Sequence, residues 1–436
     1  MLIVGLLWLP ARALAQDAPL RLTLQEAIAR AEQNSHRVAE LQARVEAAGA
    51  VEAGSQVADR PTIAALGGYT RTNHVDEFVI ALPNQPTRAL YPDVPDNYHA
   101  RIDLQWPIYT AGRVGALERA AGAEREAAAF DIVAVRADLR LEAARAFWAL
   151  VTARQTEDVL ARALESTDAH VRDLGVRLDQ GLIPPNEVLT AEAQRSRQRL
   201  LAIEARSLRG VAEADLRRVI GEDSRRAIEP ITPLEAPGGT DARAAAAAGL
   251  LANALDGRSE RRALSSRTAA SREREAAAAA AGWPQVALGA SYDYARPNPR
   301  IFPRLDAWRD SWDVSVNVSW TLFDGGRRRA DEAEAAAGTR ALLARSSEFD
   351  RQLAFEVEQR RLEIESTHAA IETAEEGVRA AVEARRVLGE RFAAGVATST
   401  EVLDADTAVL QAQLDRTRAI ANARLAIARL DRAVGR

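Results

Sequence analysis

The sequence predicts a mainly α-helical chain with a small β part, in which long antiparallel coiled-coil helices and two β-hairpins are laid out twice. Three observations carry this reading: a helical rod from Gly112 to Gly181, a repetition of the first half of the chain in the second, and strands of two-faced character just ahead of each rod. Between Pro107 and Pro184 no proline occurs, and Ala, Leu, Arg and Glu dominate, so only the tolerated glycines Gly115, Gly122 and Gly175 interrupt good helix formers. A single helix over 112–180 would be roughly 100 Å long at 1.5 Å per residue. Ile132, Leu139, Ala146, Ala153, Leu160, Thr167 and Leu174 recur every seventh residue, a seam for another helix and not the face of an isolated core helix.

The repetition keeps one register. Trp106-Pro107-Ile108-Tyr109-Thr110-Ala111-Gly112-Arg113 matches Trp320-Thr321-Leu322-Phe323-Asp324-Gly325-Gly326-Arg327 at a spacing of 214 residues, and Gly181 to Leu189 matches Gly395 to Leu403 at the same spacing. The first repeat is placed at 16–222, with a hairpin at 61–110, the long helix at 112–180 and a return helix at 186–220. The second occupies 258–436, with a hairpin at 284–324, a long helix at 326–393 and a return helix at 400–434. Its seams are Val357, Ile364, Ile371, Val378 and Ala374, Ala381, Leu388. Each return helix covers only half of its rod, so Leu24 to Ala58 and Arg258 to Ala281 are assigned to the other halves. A connection rich in Pro, Gly and Ala, 223–257, joins the repeats and carries a short helix near 241–255.

Taken from the start, Leu2 to Leu9 form an apolar core and Ala13-Leu14-Ala15 a small-residue junction before Gln16, the pattern of an export signal over 1–15. Thr23 is placed to cap the helix that opens at Leu24. The period then changes. Tyr98, Ala100, Ile102, Leu104, Trp106 and Ile108 alternate with polar residues, as do Trp312, Val314, Val316, Val318, Trp320 and Leu322. Residues 62–72 and 285–295 supply a partner strand for each, and the intervening stretches 73–97 and 296–311 read as exposed connections. Strands of this length, apolar on alternate positions and edged with Tyr and Trp, suit a transmembrane barrel. A soluble hairpin packed on helices is the plainer alternative. Past the signal no apolar run is long enough for a membrane helix, and four strands are too few to close a barrel, so a membrane-spanning form requires several copies.

The composition excludes other classes. Cysteine is absent, which removes disulfides, thiolate metal sites and cysteine nucleophiles, and the net charge of −5 leaves no nucleic-acid footprint. The five histidines, His36, His74, His99, His170 and His368, show no metal-ligand spacing, and no phosphate loop or nucleophile elbow is present. No enzyme, cofactor or metal is expected.

With these residues in hand, the chain resembles the TolC-like family of outer-membrane efflux and secretion channels over essentially its whole mature length. The most specific matches are Trp106 to Arg113, Trp320 to Arg327, and Arg391-Phe392-Ala393-Ala394-Gly395 followed by Glu401-Val402-Leu403-Asp404-Ala405. The resemblance implies a homotrimer whose hairpins pool into a 12-stranded barrel in outer-membrane lipid, continued by an α-barrel across the periplasm. It implies a periplasmic adaptor (membrane fusion) protein and an inner-membrane pump of RND, ABC or MFS type as partners. Trp106, Gly112, Arg113, Trp320, Gly326 and Arg327 would mark the barrel-to-helix junction. Arg177, Leu178, Gly181, Arg391, Phe392 and Gly395 would form the periplasmic tips where the adaptor docks. Glu187, Glu401 and Asp404 would ring the pore entrance, where facing carboxylates favour cations. Two departures stand out: Pro184-Pro185 replaces the Thr398-Ser399 of the second turn, and Ala397 stands where some relatives carry a gating basic residue. The competing reading is a periplasmic coiled-coil structural or adaptor protein without a pore.

Overall fold

The computed structural model describes residues 19–81, 83, 86–222, 226–238 and 249–436. The expected export signal and the poly-alanine at 244–248 lie outside the described residues. The chain divides into two compact units, one of residues 1–41, 131–261 and 348–436, the other of 42–130 and 262–347. Four helical segments run from one unit into the other: α2 (His36–Gln56), α3 (Arg113–Asp179), the helix Ser259–Ala280 and α7 (Arg327–Ala393).

The first unit is helical. α3 and α7 are 67 residues each, and each is followed by a return helix, α4 (Pro185–Ile220) and α8 (Ser399–Ala433). The heptad seam of α3 is the buried face: Leu139, Ala146, Leu160, Thr167 and Leu174 are all buried. Its one polar member, Thr167, donates to Gln198 Oε1 at 2.7 Å inside the helix interface, so the hydroxyl's burial leaves no donor unpaired. Phe147 and Trp148 meet edge to face at 5.5 Å in the largest apolar cluster, with Leu22, Leu150, Leu216 and Ile220 around them.

The stretch expected as one helix from Leu24 to Ala58 is two. α1 (Leu24–Gln33) has Thr23 as its cap, as expected, and the structure adds a reciprocal bond from Glu26 that makes a capping box, but the helix stops at Asn34. Asn34 turns its amide outward and donates to the Ile220 carbonyl at 2.8 Å, satisfying the end of α4 at the cost of continuing its own helix. A short parallel pair adds to the expected elements: β1 (Leu20–Leu22) lies beside β6 (Ile228–Pro230).

Beyond β6, α5 (Leu250–Gly257) leads into α6 (Ser259–Ala280). Between them Arg258 is buried; it donates to Glu260 Oε2 at 3.1 Å, to Glu356 Oε2 at 3.0 Å and to the last carbonyls of α8. Arg432 shares Glu260 and adds Asp138 at 2.7 Å. Burial alone would raise the Glu260 carboxyl, yet Arg432 and Arg258 together hold it below the ordinary carboxylate value.

The second unit carries the sheet. β2 (Thr62–Arg71), β5 (Asp96–Tyr109), β7 (Gln285–Arg296) and β8 (Arg309–Ser319) form a four-stranded antiparallel sheet in that order. In the same unit α2 runs along α3 through the Arg125–Glu52 pair at 2.9 Å, and α6 meets α7 where Ser271 and Thr339 are 3.0 Å apart. The stretch 73–97, expected as a plain connection, holds a small hairpin of β3 (Phe78–Ile80) and β4 (Arg88–Tyr91). Its register is broken by a bulge at Phe78/Val79, which hides the alternation a strand pair would show in sequence.

Because Phe147 is fully enclosed, Phe147→Ala is expected to cost about 3–5 kcal/mol. A lower urea midpoint at unchanged slope, followed by helical circular dichroism, would register that loss.

Candidate functional site

The ends of the two long helices are built from one piece of backbone geometry. Gly181 (φ +71°) and Gly395 (φ +73°) are left-handed, a conformation that an L side chain enters only with strain. At the first turn Gly181 N donates to Leu178 O at 2.8 Å and Leu182 N to Arg177 O at 2.9 Å. At the second Gly395 N donates to Phe392 O at 3.0 Å and Val396 N to Arg391 O at 2.9 Å. The six tip residues singled out in sequence therefore hold the bonds that close both helices.

Past the glycine the two repeats differ. α8 opens with a capping box: Thr398 Oγ1 accepts from Glu401 N, and Glu401 Oε2 accepts from Thr398 N at 2.6 Å and its hydroxyl at 2.9 Å. Those bonds hold the Glu401 carboxyl below its usual value. α4 opens instead at Pro184 with no side-chain cap, and Pro185, whose ring fixes φ, takes the first helical position. Of the three acids expected at the entrance, Glu401 is thus engaged with its own backbone, Glu187 is half-buried, and Asp404 is exposed without a partner among the described residues. The fold brings Glu401 and Asp404 onto one helix start and Glu187 onto the other.

Between the tips lies a contact that sequence spacing does not disclose. His170 of α3 places Nε2 3.0 Å from Ser399 Oγ of α8, and its ring meets Phe392 of α7 edge-on at 5.5 Å. Arg177 lies over the other part of Phe392, 4.5 Å from the ring centre. Alongside, Arg385 Nε donates to Asp406 Oδ1 at 2.8 Å, while Asp406 Oδ2 is buried without a partner. Val171, Leu174, Ala191 and Leu403 pack under this group, so the first and second repeats share one small core at their ends. No motif marks His170, because its partners come from residues more than two hundred positions away.

At the other end of the long helices the junction residues also share a device. Trp106 Nε1 donates to Asp59 O at 2.9 Å and Trp320 Nε1 to Gly282 O at 3.1 Å, each tying the end of a hairpin to the turn that begins it. Gly112 (φ +82°) and Gly326 (φ +96°) then redirect the chain into Arg113 and Arg327, the first residues of α3 and α7.

The four-stranded sheet has two unlike faces. Register places Ile63, Leu104, Ala290 and Val314 in one row and Ala65, Ile102, Tyr292 and Trp312 in the next. The row between them is Ala64, Asp103, Ser291 and Asp313, and the row on the far side of Ile63 is Thr62, Gln105, Gly289 and Ser315, so the polar side chains share the other face. The apolar face is bare: on β8 Trp312, Val314, Val316 and Val318 are 71, 62, 65 and 67% exposed. Among the described residues both outer strands, β2 and β8, leave one edge unpaired. Among the described residues no helix is long and apolar enough to cross a membrane, and no cluster of His, Asp and Glu could hold a metal ion.

A family model described as "Outer membrane efflux protein" matches residues 27–222 and 250–436, one segment for each repeat. Among solved structures the chain is similar to the outer membrane protein VceC of Vibrio cholerae, at 21% identity over 94% of this chain and 96% of that one, with a TM-score of 0.79. It is similar to CusC at 15% identity over 94% and 92%, with a TM-score of 0.81. At these identities the likeness is one of fold. Protein CyaE of Bordetella pertussis is 29% identical over 247 residues, 52% of this chain and 47% of the relative, so the match spans about half of each.

Replacing Thr398 by Ala removes the acceptor for Glu401 N–H and should cost about 1 kcal/mol at the start of α8. Faster amide exchange in that first turn, with the proline-led start of α4 unchanged, is the expected result.

Proposed function

The chain belongs to the outer membrane efflux protein family, and on that premise we propose that three copies form one passive exit duct. It runs from the outer membrane into the periplasm and joins a periplasmic adaptor and an energised inner-membrane pump, in a tripartite efflux or type I secretion assembly. The observation that carries the proposal is the four-stranded sheet with one bare apolar face, one polar face and two open edges. In lipid every backbone N–H and C=O must find an internal partner, so an open edge is intolerable and the strands of several chains must be pooled. Apolar rows then face lipid and polar rows the lumen. The number of copies, three with twelve strands between them, rests on the resemblance to TolC-like channels.

The helices argue in the same direction. α4 leaves Leu189, Leu200, Ile203, Leu208 and Val211 exposed along its length, and α7 leaves Phe355 and Leu362 exposed one heptad apart. Such stripes suit lateral packing against neighbouring helices. A pore-free periplasmic adaptor would have no use for a sheet whose apolar face is uncovered. Transport through a duct needs no catalytic group. Selection then falls to the pump, and the tips offer an adaptor one pair of glycine turns per chain. At the start of α8 Asp404 is the acid free to act on passing ions, since Glu401 is committed to its cap.

The first test is the mass of the detergent-extracted particle from outer-membrane fractions, by light scattering corrected for bound detergent. About three chains per particle is the expected value, and a monomer or dimer recovered from the periplasm would remove the duct. In planar bilayers Asp404→Asn should lower cation preference while leaving conductance in place; unchanged selectivity would take Asp404 out of the entrance.

A further inference from the structure

We propose that His170 is an acid-sensitive latch that holds the two repeats together at the tips, and that its protonation loosens the entrance. The inference rests on the exit-duct reading for its functional meaning, though the latch itself is a property of one chain. Three features of the geometry support it. First, the ring sits where α3, α7 and α8 converge, with Ser399, only 1% exposed, as its hydrogen-bond partner from the other repeat. Ser399 is the first residue of α8, so the bond ties the last turns of α3 directly to the start of the helix that comes after the second glycine turn. Second, the ring is flanked by fixed charges of both signs. On its own helix these are Asp173 and Arg177, which are 3.1 Å from each other; α7 supplies Arg385 and α8 Asp406. From α4, Arg195 and Glu192 turn to Asp168 and to each other instead. Third, Asp406 keeps one buried oxygen unsatisfied, and among the acids it acts most strongly on His170.

Neutral imidazole fits this arrangement: with the proton on Nδ1, Nε2 accepts from the Ser399 hydroxyl while the ring edge stays against Phe392. Imidazolium fits less well: Nε2 can then only donate, so the Ser399 hydroxyl must turn to accept from it, the ring's charge adds to those of Arg177 and Arg385, and the free oxygen of Asp406 competes with Ser399 for the new donors. Burial already holds the His170 pKa below its ordinary 6.5, with Asp406 and Asp173 opposing and Arg385 and Arg177 assisting. A group whose pKa is depressed in the latched state favours that state above its ordinary value, and the preference is lost as pH falls through the depressed value. The latch is therefore closed in neutral surroundings and weakens on acidification below 6.5.

The test uses the full chain in lipid nanodiscs. Amide exchange of a peptide covering the second tip, residues 392–403, is followed from about pH 7.5 to about pH 5.5 and corrected for the intrinsic rate. In the wild type protection should fall several-fold over that range. His170→Gln keeps a neutral hydrogen-bonding side chain and should remove the dependence, while Ser399→Ala should lower protection at both ends of the range. A flat wild-type profile, or a His170→Gln profile that tracks the wild type, overturns the latch. Conductance of the same preparations separates the two readings. Pores whose openness rises in acid only with His170 present support both, and acid-loosened tips without any pore would keep the latch and remove the duct.

Discussion

A strand edge immersed in lipid has nowhere to send its hydrogen bonds, and most of what is distinctive in this chain answers that constraint. Each repeat supplies two strands, the repeats join through β5 and β7 into a sheet of four, and the sheet stops with β2 and β8 open. A chain of this kind cannot be finished alone. The bare valines and tryptophan of β8, a liability on a monomer in water, would on the exit-duct reading become the lipid-facing wall once other copies close the edges.

For the long helices the demand is different, since a helix satisfies its own backbone and needs only a place to bury its stripe. They meet that need with small residues. Ala143, Ala146, Ala191 and Ala205 are all buried where helices meet, which lets axes approach closely and spreads the apolar contact over a great length instead of concentrating it in one core. Several modest clusters result, each centred on a few large side chains such as Phe147 or Leu174. Polar members of the seam are matched in pairs, as Thr167 is with Gln198.

Much of this is legible in the sequence because it is periodic. Heptads over α3 and α7, alternation over β5 and β8, and glycine at the turns are local patterns, and a duplication doubles the reading of each. The departures come from side chains that answer distant backbone. Asn34 breaks the first helix because the end of α4 needs a donor, and nothing within ten residues of Asn34 states that need. The β1–β6 pair joins stretches too short to carry an alternation. At the tips the glycines are readable, whereas the meeting of His170 with Ser399 depends on two hairpins lying side by side. Glu401 shows a further limit: its acidity is legible, but whether it faces an opening or its own helix start is decided by Thr398, three residues before it.

The different openings of α4 and α8 have a mechanical meaning. Pro184 and Pro185 set the first turn by ring geometry, which no change of solvent undoes, whereas the second turn is held by Thr398, Glu401, Ser399 and His170 through bonds that protons can break. Two hairpin ends that began as copies are thus held in two ways, one by ring geometry and one by side-chain bonds. On the proposed threefold axis they would alternate, like fixed posts between swinging leaves, and the mouth would then widen by moving only every second tip.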